Sequence, residues 1–181
     1  FDIMDGHFVP SHSINYEHLA TVPMKLSWEA HLMVEHPENY LAGFRKAGAE
    51  RIVFHHEATT LPQEVISQAR KLDLSVGLAL NPETKVSTVL PLIQKLDSIL
   101  LLTVNPGFYG SPFKPRVLHK VIELRSAGFD MEIGIDGGIK ETNIDEVARL
   151  GVDVIYVGSA IFMQPQPEES FRRLLAIAEE G

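Results

Sequence analysis

The sequence predicts an α/β fold of parallel strands alternating with helices, an eight-fold (β/α) TIM barrel short of one unit. Three observations carry this. Short apolar runs recur about every 20 to 30 residues: WEAHLMV (28–34), RIVFHHE (51–57), SVGLALNP (75–82), SILLLTVNPG (98–107), MEIGIDGG (131–138) and VDVIYVGSA (152–160). Each reads as a strand buried on both faces, as parallel sheets require. Helical stripes fill the intervals between them. Finally, the Gly-rich turns GFYG (107–110), DGG (136–138) and VGSA (157–160) follow the last three runs. A doubly wound open sheet usually carries its glycine loop after the first strand, whereas barrels often hold phosphate after their late strands.

Taken in order, the opening FDIM reads as the end of a strand, which brings the strand count to seven. Tyr40, Leu41, Phe44 and Ala47 form the first apolar stripe, with Pro37 suited to a first helical turn and Gly48 to a left-handed helix end. Val65, Ile66, Ala69 and Leu72 form the next. Between Val86 and Leu96, Pro91 predicts a short, broken helix. Val117, Leu118, Val121 and Ile122 precede Gly128, and Ile144, Val147 and Ala148 precede Gly151. Thr142 with Asp145 resembles a capping box, and Phe171, Leu174, Leu175 and Ala178 make the last helix. KAGAERIVF (46–54), SAGFDMEIGI (126–135) and RLGVDVIYV (149–157) repeat one pattern of helix end, glycine, acidic residue and strand.

Composition bounds the function. A chain of 181 residues, 45% hydrophobic and 22% charged, suits a single domain over 1–181 with a sizeable core. A net charge of −8 with scattered Lys and Arg argues against nucleic-acid binding but allows a small anion held by local donors. The absence of cysteine removes disulfides, thiolate metal sites and a Cys nucleophile, and fits a reducing cytoplasm. No apolar run reaches the roughly 18 residues of a spanning helix, so no membrane association is expected. A homo-oligomer is expected.

The ordered set DIMDGHFVP (2–10), HLMV (31–34), FHHEAT (54–59), GLALNPET (77–84), LTVNPGF (102–108), IDGGI (135–139) and VGSAIF (157–162) resembles the ribulose-phosphate 3-epimerase family. The resemblance runs from the first residue to the last helix. It implies a barrel of the ribulose-phosphate-binding type and epimerisation of a phosphorylated ketopentose at C3, with a divalent metal. The substrate pair would be D-ribulose 5-phosphate and D-xylulose 5-phosphate of the pentose phosphate pathway. In the family the motif opens His-x-Asp-x-Met-Asp-Gly after a preceding βα unit. Phe1 therefore stands at the position following the His, and the chain is expected to begin inside the second barrel strand. Two other readings stand beside this one: an allulose-6-phosphate 3-epimerase, and a non-catalytic sugar-phosphate-binding remnant.

Epimerisation next to a ketone needs two acid/base groups and an electrophile for the enediolate. Asp2 and Asp136 close predicted strands on opposite sides of a barrel mouth, and the resemblance gives these positions the catalytic role. It also implies a metal, zinc, manganese or ferrous iron, held by Asp2, His31 and Asp136 together with the family's His that would precede Phe1. Taken singly, His31 reads as a buried hydrogen-bonded histidine and Asp136 as a turn residue; the ordered motifs favour the site. Asp5 reads as structural, fixing a turn. Strand alternation sends His55 and His56 to opposite faces, one of them towards the mouth. His7, His12, His18, His36 and His119 carry no expected role.

Met4 and Met33 match two methionines that the family packs over the sugar, while Leu102 stands where it usually has a third. Gly107, Gly110, Gly137, Gly138 and Gly158, with Ser159, would form a phosphate nest of backbone N–H groups. Tyr109 and Ser111 depart from the family's PGFGGQ, Ser11 from its Asn, and Glu29 from its Asp.

Overall fold

The computed structural model describes residues 1–108 and 110–180. Seven parallel strands make one sheet in sequential order: β1 (Asp2–Met4), β2 (Glu29–Met33), β3 (Arg51–His55), β4 (Ser75–Leu80), β5 (Ser98–Leu102), β6 (Glu132–Asp136) and β7 (Val154–Tyr156). The helices are α1 (Tyr16–Leu19), α2 (Leu41–Ala47), α3 (Pro62–Lys71), α4 (His119–Ser126), α5 (Ile144–Ala148), α6 (Ser159–Phe162) and α7 (Pro167–Glu180). A doubly wound sheet reverses its strand order part-way; this one never does, so the barrel-type winding is the one observed. Among the described residues no helix is long and apolar enough to cross a membrane.

Strand alternation divides the side chains into two populations. On the outer face Leu32, Ile52, Phe54, Leu78, Ile99 and Ile133 join the large core formed with Phe44 of α2, Val65 of α3, Leu124 of α4 and Leu174 of α7. On the inner face Val53, Ala79, Leu100 and Leu102 make a second, smaller cluster under Tyr156. The outer core accounts for the apolar strand sequences, because both faces are covered.

The enclosed side also carries charge. Arg51 Nη1 lies 3.2 Å from Glu29 Oε2 and also pairs with Glu132, while the Tyr156 hydroxyl donates to Glu29 Oε1 at 2.5 Å. These contacts join β2 and β3 to β6 and β7, which are far apart in the strand order, so the sheet is curled into a barrel wall. Gly134 makes the crossing feasible: a Cβ there would fall 2.8 Å from the Tyr156 ring. Burial and the Glu29 partner both raise the Tyr156 pKa, keeping its hydroxyl a donor.

Several local signals hold, but Ile122, Phe171 and Leu175, expected on stripes packed against the sheet, are exposed. Gly48 takes φ 101° and closes α2 by donating to the carbonyls of Arg45 and Phe44. Pro91 falls among two 3₁₀ segments, Val86–Thr88 and Leu90–Lys95, in place of a continuous helix. The Thr142/Asp145 box does not cap α5. Asn143 precedes that helix, and its side chain turns back to the Lys140 N–H and the Gly138 carbonyl, so no side chain caps the helix. The short α1 and α6 span about one turn each, too little for a periodic stripe to register.

Replacing Arg51 by Met leaves two facing carboxylates without their cation. The side chains are only about three-quarters buried, so the loss should be about 2 kcal/mol, below the 3–5 kcal/mol of a fully buried pair. Urea denaturation of Arg51→Met measures it; an unchanged midpoint would show that the tie contributes nothing.

Candidate active site

Asp2 opens β1 and is the register partner of His31 on β2, so two polar side chains enter the lumen side by side from adjacent strands. Asp136 closes β6, paired with Leu102. The curl of the sheet brings it across to the other two. His31 Nδ1 lies 2.9 Å from Asp2 Oδ1 and 3.9 Å from Asp136 Oδ2. One ligand atom from each of these residues falls within 4.8 Å of the others, a spacing suited to one cation.

The two carboxylates sit in different electrostatic surroundings. Burial alone raises Asp2, but its hydrogen bond with His31 and nearby positive charge outweigh that and hold it below the ordinary carboxylate range. Asp136 is pushed up to about 6, first by burial and then by the Asp2 charge, with His31 only partly opposing. One carboxylate is thus set to be ionised where the other is still protonated, the arrangement that separates a base from an acid.

His31 is buried, and its second nitrogen, Nε2, meets His55 Nε2 at 2.9 Å. His55 is the lumen-facing member of the His55–His56 pair. Burial drives its pKa down to about 4, and Phe8 covers it at a ring separation of 4.8 Å. Behind it lies Glu57, whose carboxylate accepts from the Asn81 N–H at 2.9 Å and from the Thr84 hydroxyl. Burial opposes that charge, but His55, Thr84 and the Asn81 N–H together bring Glu57 down to about 2. The loop carrying Asn81 and Thr84 is pinned in turn by Lys120 of α4, which donates to the Asn81 and Pro82 carbonyls at 3.0 and 2.9 Å.

The remaining expected site residues distribute as follows. Met4 and Met33 are register partners on the same face as Asp2 and His31, and Met33 is buried. Leu102 belongs to the inner cluster. Gly107 and Gly110 lie on the loop after β5, Gly137 and Gly138 after β6, and Gly158 with Ser159 after β7, all beyond strand C-termini on the side of Asp136. Gly137 has φ 111°, and a Cβ there would fall 2.5 Å from Val104, so only glycine fits. Asp5 accepts from the N–H groups of His7, Phe8 and Glu35, which makes it a turn anchor. Ser11 donates to the Gly107 carbonyl, linking the loops after β1 and β5. Ser111 donates to the Phe108 carbonyl, and Tyr109 lies outside the described residues.

The sequence did not single out Arg51, Glu57, Glu132, Tyr156 or Lys120. A usable signal existed for two of them: Arg51 and Glu132 are charges at the first positions of otherwise apolar strands. Glu57 and Lys120 act through the loop after β4, which no local pattern reveals.

Fold and site together define a (β/α)-barrel protein that converges a carboxylate pair and an imidazole, an arrangement suited to proton transfer, with Asp136 at a strand C-terminus but Asp2 at the start of β1, not at its expected end, and His31 in the middle of β2. The chain belongs to the ribulose-phosphate 3 epimerase family, whose model matches residues 1–162, and this is a family of isomerases. It is 38% identical over 173 residues to a ribulose-phosphate 3-epimerase of Schizosaccharomyces pombe, covering 93% of this chain and 76% of the relative. With that of Aquifex aeolicus it shares 37% over 183 residues, 98% of this chain and 82% of the relative. Among solved structures, 3-hexulose-6-phosphate synthase from Salmonella typhimurium superposes with a TM-score of 0.68 at 17% identity, covering 85% of this chain and 74% of that one. KGPDC from Streptococcus mutans gives 0.70 at 13%, covering 86% and 74%. Those two show the fold alone.

A carboxyl whose folded pKa exceeds its unfolded value binds more protons when folded. The stability it supplies is therefore complete below the unfolded value and falls as pH rises through the folded one. For Asp136, between 3.8 and about 6, the loss amounts to about 3 kcal/mol. In the presence of chelator, wild-type stability relative to Asp136→Asn should fall by that order between pH 4 and 7. Parallel curves would show that Asp136 titrates normally.

Proposed function

We propose that this chain interconverts D-ribulose 5-phosphate and D-xylulose 5-phosphate by proton transfer at C3, with Asp2 and Asp136 as the two acid/base groups. The observation that carries the reading is the convergence of Asp2, His31 and Asp136 from three strands, with one carboxyl shifted below and the other above the ordinary carboxylate range. Ionised Asp2 removes the C3 proton from one face. Asp136 in its protonated form returns a proton to the other, and the reverse reaction exchanges the roles. Neutral-to-anionic exchange between two carboxyls needs no net charge change in the site.

The donor set fits a divalent cation: two carboxylate oxygens and one imidazole nitrogen are hard to borderline ligands suited to zinc, manganese or ferrous iron. Such an ion supplies Lewis-acid stabilisation of the enediolate oxygens when bound. Met4, Met33 and Leu102 provide apolar surface beside the reacting carbons and exclude water. The backbone N–H groups of Gly107, Gly110, Gly137, Gly138 and Gly158, with the Ser159 hydroxyl, take the phosphate, so the acidic chain needs no basic patch.

Asp2→Asn and Asp136→Asn should each lower kcat by about 10²–10⁴-fold, with circular dichroism unchanged, and each should leave exchange of the C3 hydrogen with deuterated solvent only in the epimer whose proton faces the remaining aspartate. Turnover at the wild-type rate in either variant would sink the two-aspartate assignment. Assayed beside allulose 6-phosphate, ribulose 5-phosphate should be the better substrate, and chelator should abolish its turnover reversibly.

A further inference from the structure

Resting on that reading of the mouth, we propose that the hairpin over 5–13 is a spacer, with Ser11 as its positioning residue, which fixes the phosphate-binding loop after β5 relative to the acid/base pair and so selects a five-carbon over a six-carbon ketose phosphate. The hairpin is rooted on the backbone of Asp2 itself. Ser13 Oγ donates to the Asp2 carbonyl at 2.7 Å and accepts from the Met4 N–H at 2.9 Å. Its arms are joined by the Gly6 N–H, which donates to the Ser11 carbonyl at 3.0 Å, and by the antiparallel bridge between Asp5 and His12. Asp5 also accepts from the Glu35 N–H at 2.7 Å, which ties the turn to the segment after β2. The hairpin is therefore one piece with β1 and β2.

Its tip crosses to the far side of the mouth. Phe8 lies on His55 of β3 with ring centroids 4.8 Å apart, and Val9 is buried against Gly107. Gly107 takes φ 94°, and a Cβ there would fall 2.6 Å from Val9 Cβ, so only glycine lets the loop come this close. Ser11 completes the contact by donating its hydroxyl to the Gly107 carbonyl. At its base the same loop is held by the Thr103 N–H, which donates to the Asp136 carbonyl at 2.8 Å. The backbone of one acid/base residue thus anchors the loop's base, and the backbone of the other anchors the hairpin that grips it at Gly107. A ketohexose phosphate puts one more carbon between C3 and its phosphate than a ketopentose phosphate does. A spacing held at both ends aligns C3 of only one of them with the two carboxyls; a loop released at Gly107 can retreat and accept either.

The test compares wild type, Ser11→Ala and Ser11→Thr in the whole chain, by kinetics on ribulose 5-phosphate and allulose 6-phosphate and by calorimetric titration with inorganic phosphate. Ser11→Ala should raise the KM for ribulose 5-phosphate and the Kd for inorganic phosphate together, by about 2- to 10-fold, the worth of one hydrogen bond. Its kcat on ribulose 5-phosphate should be unchanged, and its preference for that substrate over allulose 6-phosphate should narrow. Ser11→Thr keeps the hydroxyl and should restore all of these. Wild-type KM, phosphate affinity and preference in Ser11→Ala overturn the spacer, and so does a fall in kcat with KM unchanged or an equal loss in Ser11→Thr; each leaves the roles of Asp2 and Asp136 standing. Turnover of neither sugar phosphate by the wild type overturns the epimerase reading and this inference together.

Discussion

Arg51 carries its guanidinium into the space enclosed by the sheet, where Glu29 and Glu132 meet it from β2 and β6. That contact exists only because the sheet curls, and it rewards the curl, since a flat sheet would separate the partners by several strand spacings of nearly 5 Å each. Tyr156 adds a neutral hydrogen bond from β7 to Glu29 over Gly134. The same curvature carries Asp136 to His31 nearer the mouth. The geometry of the site therefore depends on a polar tie at the other end of the same strands.

Between the two polar levels the lumen is filled by Val53, Ala79, Leu100 and Leu102, a small cluster that excludes water from beneath the site. Outside, a far larger core of Phe44, Phe54, Leu78, Leu101, Val121 and Leu174 holds the helices to the sheet. Cohesion and chemistry are thus assigned to opposite faces of the same strands. Removing a buried group from the outer layer costs packing and transfer energy; changing an inward polar group changes charge balance. The two kinds of substitution should be separable by experiment for that reason.

Electrostatics in the mouth follow from burial and neighbours, not from any basic patch. Asp136 is enclosed and faces another carboxylate, which raises its pKa; Asp2 is more open and shares a hydrogen bond with His31, which lowers its pKa. His31 stands between them, with Nδ1 2.9 Å from Asp2 Oδ1 and Nε2 2.9 Å from His55 Nε2. Lys120, half the chain away in sequence, reaches this arrangement through two carbonyls of the loop after β4.

The sequence by itself determined the strand rhythm, the helix stripes, the glycine turns and the residue types of the mouth, because each is written in local spacing: apolar runs for doubly covered strands, Gly48 for a left-handed helix end, Pro91 for a broken helix. Motif order also marked Asp2, His31 and Asp136, and the turn chemistry of Asp5. Only the tertiary structure decided how these meet. Which of His55 and His56 faces inward was left open because neighbouring residues on a strand look alike until a register is fixed; the pairing of Glu29 with Arg51 and His31 with Val53 fixes it. The Arg51 tie, the Tyr156 crossing and the Lys120 anchor join residues distant in the chain, and no local pattern encodes such contacts. The failed Thr142 cap has the same cause in reverse: a good local signal yielded when Asn143 found partners at Lys140 and Gly138. The opposite displacements of the two carboxyl pKa values belong to the fold as well, since burial and proximity are properties of the folded chain.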